Sequence, residues 1–152
     1  MRLPVPFPLM LACLVAYAQP PATPARAQAL VRKAIAYART HGLEALFRQT
    51  NEANGTFNVG SGGEMYLFVY DEKGVCKAIG FNAAVLVGKN RIDLRDSDGK
   101  AYLQEMIRVA RTQGRGWVDY RYPDPVTGRV VPKTSYVEWY EGLLFGCGVY
   151  RR

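Results

Sequence analysis

The sequence holds 152 residues, 49% of them hydrophobic and 22% charged, the balance of a single globular domain with a core of its own. That composition excludes disordered, collagenous and coiled-coil chains, and three cysteines are too few for a disulfide scaffold. The formal net charge is +7, yet acidic and basic residues interleave with no run of five like charges. This argues against nucleic acid as a partner and for a mildly basic domain that accepts small anions.

The chain opens MRLPVPFPLMLACLVAYAQP. Arg2, a short apolar stretch from Leu9 to Ala16 and the small-x-small site Ala16-Tyr17-Ala18 have the layout of a secretory signal peptide. Residues 1–27 are read as signal peptide and short linker, with cleavage after Ala18 or after Ala27. The single domain then spans residues 28–152. Cys13 raises a lipid anchor as an alternative, but only Leu9 to Ala12 precede it as an apolar run. No later stretch is long and apolar enough to span a bilayer, so the expected mature protein is soluble, periplasmic or secreted, and not membrane-spanning.

Pro20 to Pro24 reads as a Pro/Ala linker. Leu30, Val31, Ala34, Ile35 and Ala38 recur at three- and four-residue spacing, a helix that Gly42 stops. A short second helix carries Leu43, Leu46 and Phe47 on one face. Asn51 to Gly63 is rich in Gly and Asn and reads as loop. Tyr66 to Tyr70 is apolar on both faces, a strand covered on both sides. Asp71-Glu72-Lys73-Gly74 turns the chain into a return strand, Val75 to Ile79. Asn82 to Leu94 is expected as loop with a helical turn. Leu103, Met106, Ile107 and Ala110 make the stripe of a further helix, ended by Gly114. Three more strands follow at Trp117 to Tyr122, Thr134 to Tyr140 and Leu144 to Tyr150, the first two joined by a turn at Pro123 to Gly128. The order predicts an α+β fold: five antiparallel strands with helices on the sheet faces.

Little in the sequence suggests catalysis. His41, the single histidine, sits at a helix end, where it complements the helix dipole. Gly-x-Ser-x-Gly, HExxH and CxxC patterns are absent, which disfavours a serine triad, a zinc site and a covalent haem. No metal and no cofactor are expected. Asp96-Ser97-Asp98-Gly99 resembles a calcium loop, but the twelfth position is Ile107 and not Glu; a helix N-cap by Asp96 or Asp98 is the plainer reading. Asn54-Gly55-Thr56 matches a glycosylation acceptor, without meaning in a bacterium. If the last strand lies beside the first hairpin strand, Cys76 and Cys147 are one strand apart. The gap is then about 9.6 Å, beyond the roughly 7 Å reach of a disulfide, which predicts two buried free thiols.

The informative segment is Trp117 to Pro125 with Pro132 to Val137. Val118, Tyr120 and Tyr122 share a face by period two, and paired phenols in a cleft can donate hydrogen bonds to an oxyanion. Lys133 can neutralise a carboxylate. A surface lysine and two amphipathic core tyrosines fit the same residue types. Gly146 and Gly148 alternate on the last strand, where missing side chains admit a close neighbour, either a ligand or the long helix. The helix is the favoured choice.

The same segments bring out a resemblance. Met65-Tyr66-Leu67-Phe68-Val69-Tyr70-Asp71-Glu72-Lys73-Gly74 is followed by Val87-Gly88-Lys89-Asn90, Asp93-Leu94 and Asp98-Gly99-Lys100. Then come Gly116-Trp117-Val118-Asp119-Tyr120, Pro132-Lys133 with Ser135-Tyr136-Val137, and Gly146-Cys147-Gly148-Val149-Tyr150. Their order and spacing from Ala29 to Tyr150 resemble a single Cache domain, the extracytoplasmic sensor module of bacterial chemoreceptors and sensor kinases. The resemblance implies a PAS-like five-stranded antiparallel sheet, with a long N-terminal helix on one face and a ligand pocket on the other. It also implies a short organic acid such as acetate, propionate, lactate or pyruvate as ligand. Carried onto this chain, the pocket would draw on Tyr120, Tyr122, Lys133 and Tyr136, with Trp117, and with Phe81 and Asn82 at the rim. The sequence ends two residues past the last strand, which departs from the receptor pattern. The expectation is therefore a free-standing exported carboxylate-binding domain without catalytic activity, feeding a membrane-bound signalling partner in signal transduction or chemosensing. The alternative is an interaction module that docks on a membrane-bound kinase or an exported redox protein; an enzyme is the weakest reading.

Overall fold

A computed structural model describes residues 20–59 and 64–151. The signal-peptide reading, with Cys13 and the Ala18 cleavage site, lies outside the described residues. Helix α1 (Pro24–His41) starts inside the segment read as linker. Thr23 accepts the Arg26 amide at 3.3 Å and Pro24 takes the first turn, where its missing N–H costs nothing. Ala27, Leu30, Val31, Ala34, Ile35 and Ala38 form its buried stripe. Ala27 is completely buried, so cleavage after Ala18 would leave the first turn whole and cleavage after Ala27 would remove it. Gly42, at φ 84°, ends the helix in a conformation that favours glycine. His41 lies in that last turn, its ring stacked on Tyr37 at 4.2 Å.

Helix α2 (Leu43–Asn51) buries Leu46 and Thr50. It and a two-residue strand, β1 (Asn58–Val59), occupy part of the segment read as loop. The local sequence lacks periodicity because the pairing is imposed from outside: Asn58 lies opposite Tyr66, and the Asn51 side chain accepts the Ile79 amide at 2.9 Å. Strand β2 (Met65–Asp71) is buried on both faces, as expected. The turn to β3 (Cys76–Ile79) is held by Asp71, whose Oδ1 accepts the amides of Lys73 and Val75. A short helix, α3 (Ala83–Leu86), precedes α4 (Tyr102–Gln113), which buries Leu103, Met106, Ile107 and Ala110.

Asp96 does not cap α4. That helix begins at Tyr102 with Ala101 before it and no side-chain cap. The Asp96 carboxylate instead accepts the amides of Asp98 and Lys100 in its own turn and of Arg121 across to the sheet. Desolvation opposes its charge, but the three amides outweigh it and hold the carboxyl below the usual value.

Three long strands complete the chain: β4 (Arg115–Pro123), β5 (Val130–Tyr140) and β6 (Leu143–Tyr150). All pairings are antiparallel, in the order β1-β2-β6-β5-β4 with β3 also on β2. The expected five strands are present, and β1 adds a short sixth at the edge. The first hairpin strand and the last strand are neighbours. Cys76 and Cys147 therefore stand on strands flanking β2, both buried and free. Helix α1 covers one face of the sheet and α4 the other. Among the described residues no helix is long and apolar enough to cross a membrane.

Candidate functional site

Side-chain alternation decides which residues meet. On β4, Val118, Tyr120 and Tyr122 point toward α4, as period two requires. On β5, Ser135 joins that face, with its Oγ 3.0 Å from the Tyr120 hydroxyl. Lys133 lies two residues away on the same side, only 1% exposed. Its Nζ donates to the hydroxyls of Tyr66 at 3.0 Å and Tyr150 at 3.1 Å. It also lies 4.4, 5.1 and 4.3 Å from the ring centres of Tyr66, Tyr122 and Tyr150, within cation–π range. Tyr150 in turn donates to the Pro123 carbonyl at 3.0 Å.

The structure brings Tyr120, Tyr122 and Lys133 together and leaves Tyr136 and Trp117 elsewhere. Tyr136 lies three positions beyond Lys133, an odd step that turns it to the α1 face, where it joins the core under that helix. Its hydroxyl donates to Glu138 at 2.8 Å. Trp117 pairs with Tyr136 across the ladder, the rings 5.3 Å apart. Phe81 is 37% exposed and stacks on Tyr66 at 5.6 Å. Asn82 turns the chain beside it at φ 54°, and its carbonyl accepts the amides of Val85 and Leu86 in α3.

The glycines of β6 serve this site and not α1. A Cβ on Gly148 would lie 2.3 Å from Ser135 Oγ and 2.6 Å from Lys133 Cε, and one on Gly146 would lie 2.2 Å from the Phe68 ring. The favoured choice, the long helix, is thus replaced by the lysine stem and a phenylalanine. Sequence reasoning missed Tyr66, Tyr102, Tyr150 and Arg91. Tyr66 and Tyr150 carried a signal: each alternates with site-facing residues, Phe68 and Tyr70 on β2, Gly146 and Gly148 on β6. Tyr102 and Arg91 carried none, because only the packing of α4 and its preceding loop brings them in. Tyr102 stacks on Tyr120 at 5.0 Å, and Arg91 donates to the Tyr122 hydroxyl at 3.3 Å.

A cavity of about 20 Å³ lies between the sheet and α4, space for about one water. Tyr66, Tyr70, Tyr102, Tyr120 and Tyr122 form its polar-aromatic side. Phe68, Ile79, Leu103 and Met106 form its apolar side. Lys133 stands behind the rings of Tyr66 and Tyr122. Desolvation pushes its ammonium down from the ordinary 10.5 to about 7, against the opposing pull of Cys147 and Asp124. Burial likewise pushes the Tyr66 and Tyr120 phenols well above 10, so they stay protonated and able to donate. Among the described residues no three His, Cys, Asp or Glu side chains gather as metal ligands.

The sequence profile of the Single Cache domain 2 family matches residues 12–150. The chain belongs to this family. The Cache fold recurs in solved structures. A methyl-accepting chemotaxis protein from Vibrio parahaemolyticus superposes with a TM-score of 0.66 at 19% identity, over 83% of this chain and 86% of that one. A periplasmic sensor domain of a chemotaxis protein gives 0.60 at 28% identity, over 84% and 90%. A Cache chemosensory domain described for its carboxylic acid recognition gives 0.65 at 23% identity, over 84% and 92%. Among characterised relatives, the methyl-accepting chemotaxis protein McpP of Pseudomonas putida is 44% identical over 59 residues, covering 38% of this chain and 11% of McpP. The sensor histidine kinase MctS of Rhizobium johnstonii is 33% identical over 93 residues, covering 59% and 19%. The Cache chain thus spans a small part of either relative. In this Cache domain the long helix and the tyrosine site occupy opposite sheet faces, the arrangement the resemblance implied.

Proposed function

We propose that this Cache domain is an exported, non-catalytic binding module for a short organic acid, which it reports to a membrane-bound signalling partner. One observation carries the reading: a fully buried lysine, held by two phenols and enclosed by three aromatic rings, backs a small cavity lined with further phenols. A buried cation is costly unless an anion can share its site. Asp124 already offsets part of that cost, and a carboxylate entering the cavity adds a second anion. The Tyr66 and Tyr120 hydroxyls can donate to its oxygens, Lys133 neutralises its charge, and Phe68, Ile79, Leu103 and Met106 enclose its carbon end. Entry displaces Phe81, the exposed member of the rim. The carboxylic acid recognition described for one structural neighbour is compatible with this reading.

Lys133 ties binding to pH. In the empty site the ammonium loses its proton at about pH 7, and a bound carboxylate raises that value. Binding above pH 7 therefore takes up a proton, and affinity falls by up to about tenfold per pH unit. Titration calorimetry with acetate, propionate, lactate and pyruvate at pH 6 to 8.5 checks this. The expected outcome is binding that weakens with rising pH and is lost in Lys133→Met. Absence of binding by every short acid, or equal affinity in Lys133→Met, would overturn the reading.

A further inference from the structure

We propose that Met106 is the specificity-determining residue that sets how long a ligand tail this site accepts. The inference rests on the short-acid reading and concerns the apolar end of the cavity. That end has two walls of unequal stiffness. Phe68 and Ile79 are directly paired across the β2–β3 ladder, and the Phe68 ring occupies the space that a side chain on Gly146 would need. The Phe68 ring is seated over the Gly146 backbone and Ile79 is branched at Cβ, which restricts its rotamers, so both are stiffer than an unbranched chain. The opposite wall is Leu103 and Met106, one turn apart on α4 and 2% and 1% exposed. Methionine is unbranched and adapts its shape more readily than any other apolar side chain. With free space for about one water, any acid must displace side chains to enter and each added methylene displaces more, and Met106 is the lining side chain best able to move. Its bulk therefore limits tail length.

The test is a calorimetric series of unbranched acids from acetate to valerate against four proteins. In the native protein, affinity should fall from the two- and three-carbon acids to the five-carbon acid. Met106→Ala should move the optimum to longer acids, each newly admitted methylene gaining about fourfold in affinity. Met106→Leu, which conserves volume, should keep the native profile. Val109→Ala is the packing control: Val109 is buried on the same helix but lies against Gly116 and not the cavity. It should lower stability without moving the profile. If Met106→Ala does not fold, Met106→Val should give a shift of about one methylene. An unshifted profile in the shortened variants, or the same shift in Val109→Ala, would overturn the inference while leaving the short-acid reading in place. Failure of the native protein to bind any acid would instead overturn that reading and the inference with it.

Discussion

On one face of the sheet, α1 lays three alanines, two of them fully buried, with Leu30, Val31 and Ile35 against Leu67, Val69, Phe145 and Val149. On the other, α4 covers Tyr66, Tyr70, Tyr120 and Phe68, a buried lysine and a cavity. The small residues of α1 let its backbone approach closely, so that face packs as dry hydrocarbon. The large rings opposite hold α4 away and bury hydroxyls, each of which must find a partner. Tyr120 finds Ser135, Tyr122 finds Arg91, and Tyr66 and Tyr150 share Lys133. One strand thus serves a dry apolar face and a polar-aromatic one at once, because successive side chains point to opposite sides.

The largest expected effect breaks the hydrocarbon face. Phe145→Ala, at a completely buried position under α1, should cost about 3–5 kcal/mol in urea unfolding. Once folded at low temperature, the variant should keep its ligand affinity, since Phe145 touches none of the site. A smaller effect separates the faces by pH. Folded Lys133 releases its proton at about pH 7, against the ordinary lysine value of 10.5. Above pH 7 the unfolded chain therefore holds the extra proton, and stability rises with pH. From pH 7 to pH 9 this contributes about 2 kcal/mol. The difference in unfolding free energy between the native protein and Lys133→Met should shift by that amount; a constant difference would show that Lys133 is not desolvated. The smallest effect sharpens the boundary. Tyr136→Phe removes the bond to Glu138 and should cost no more than about 1 kcal/mol, leaving acid binding unchanged.

Much of this division was legible in the residues. The stripes at Leu30 to Ala38 and Leu103 to Ala110 place both helices, because a helix that buries one face must repeat every three to four residues. The two-sided apolar run at Tyr66 to Tyr70 marks the strand covered on both faces. Period two joins Tyr120 to Tyr122, and applied to β5 it also separates Lys133 from Tyr136, although the resemblance had put both in one pocket. Strand β1, by contrast, has no pattern of its own, because its partner on β2 supplies the hydrogen bonds. Asp96 reads as a cap in sequence, yet the amide of Arg121, distant in the chain, takes one of its oxygens.

The sequence alone determined the order of the two long helices and the five longer strands, the α+β class and which residues of a strand share a face. These follow from local periodicity and turn chemistry, which act within a few residues. Only the tertiary structure decided that β2 and β6 are neighbours, that Gly148 makes room for the stem of Lys133, and that Tyr66, Tyr122 and Tyr150 surround its ammonium. Those contacts join residues 11 to 80 positions apart along the chain. Their energy depends on burial, which no local pattern specifies until the sheet has closed and the helices have covered it.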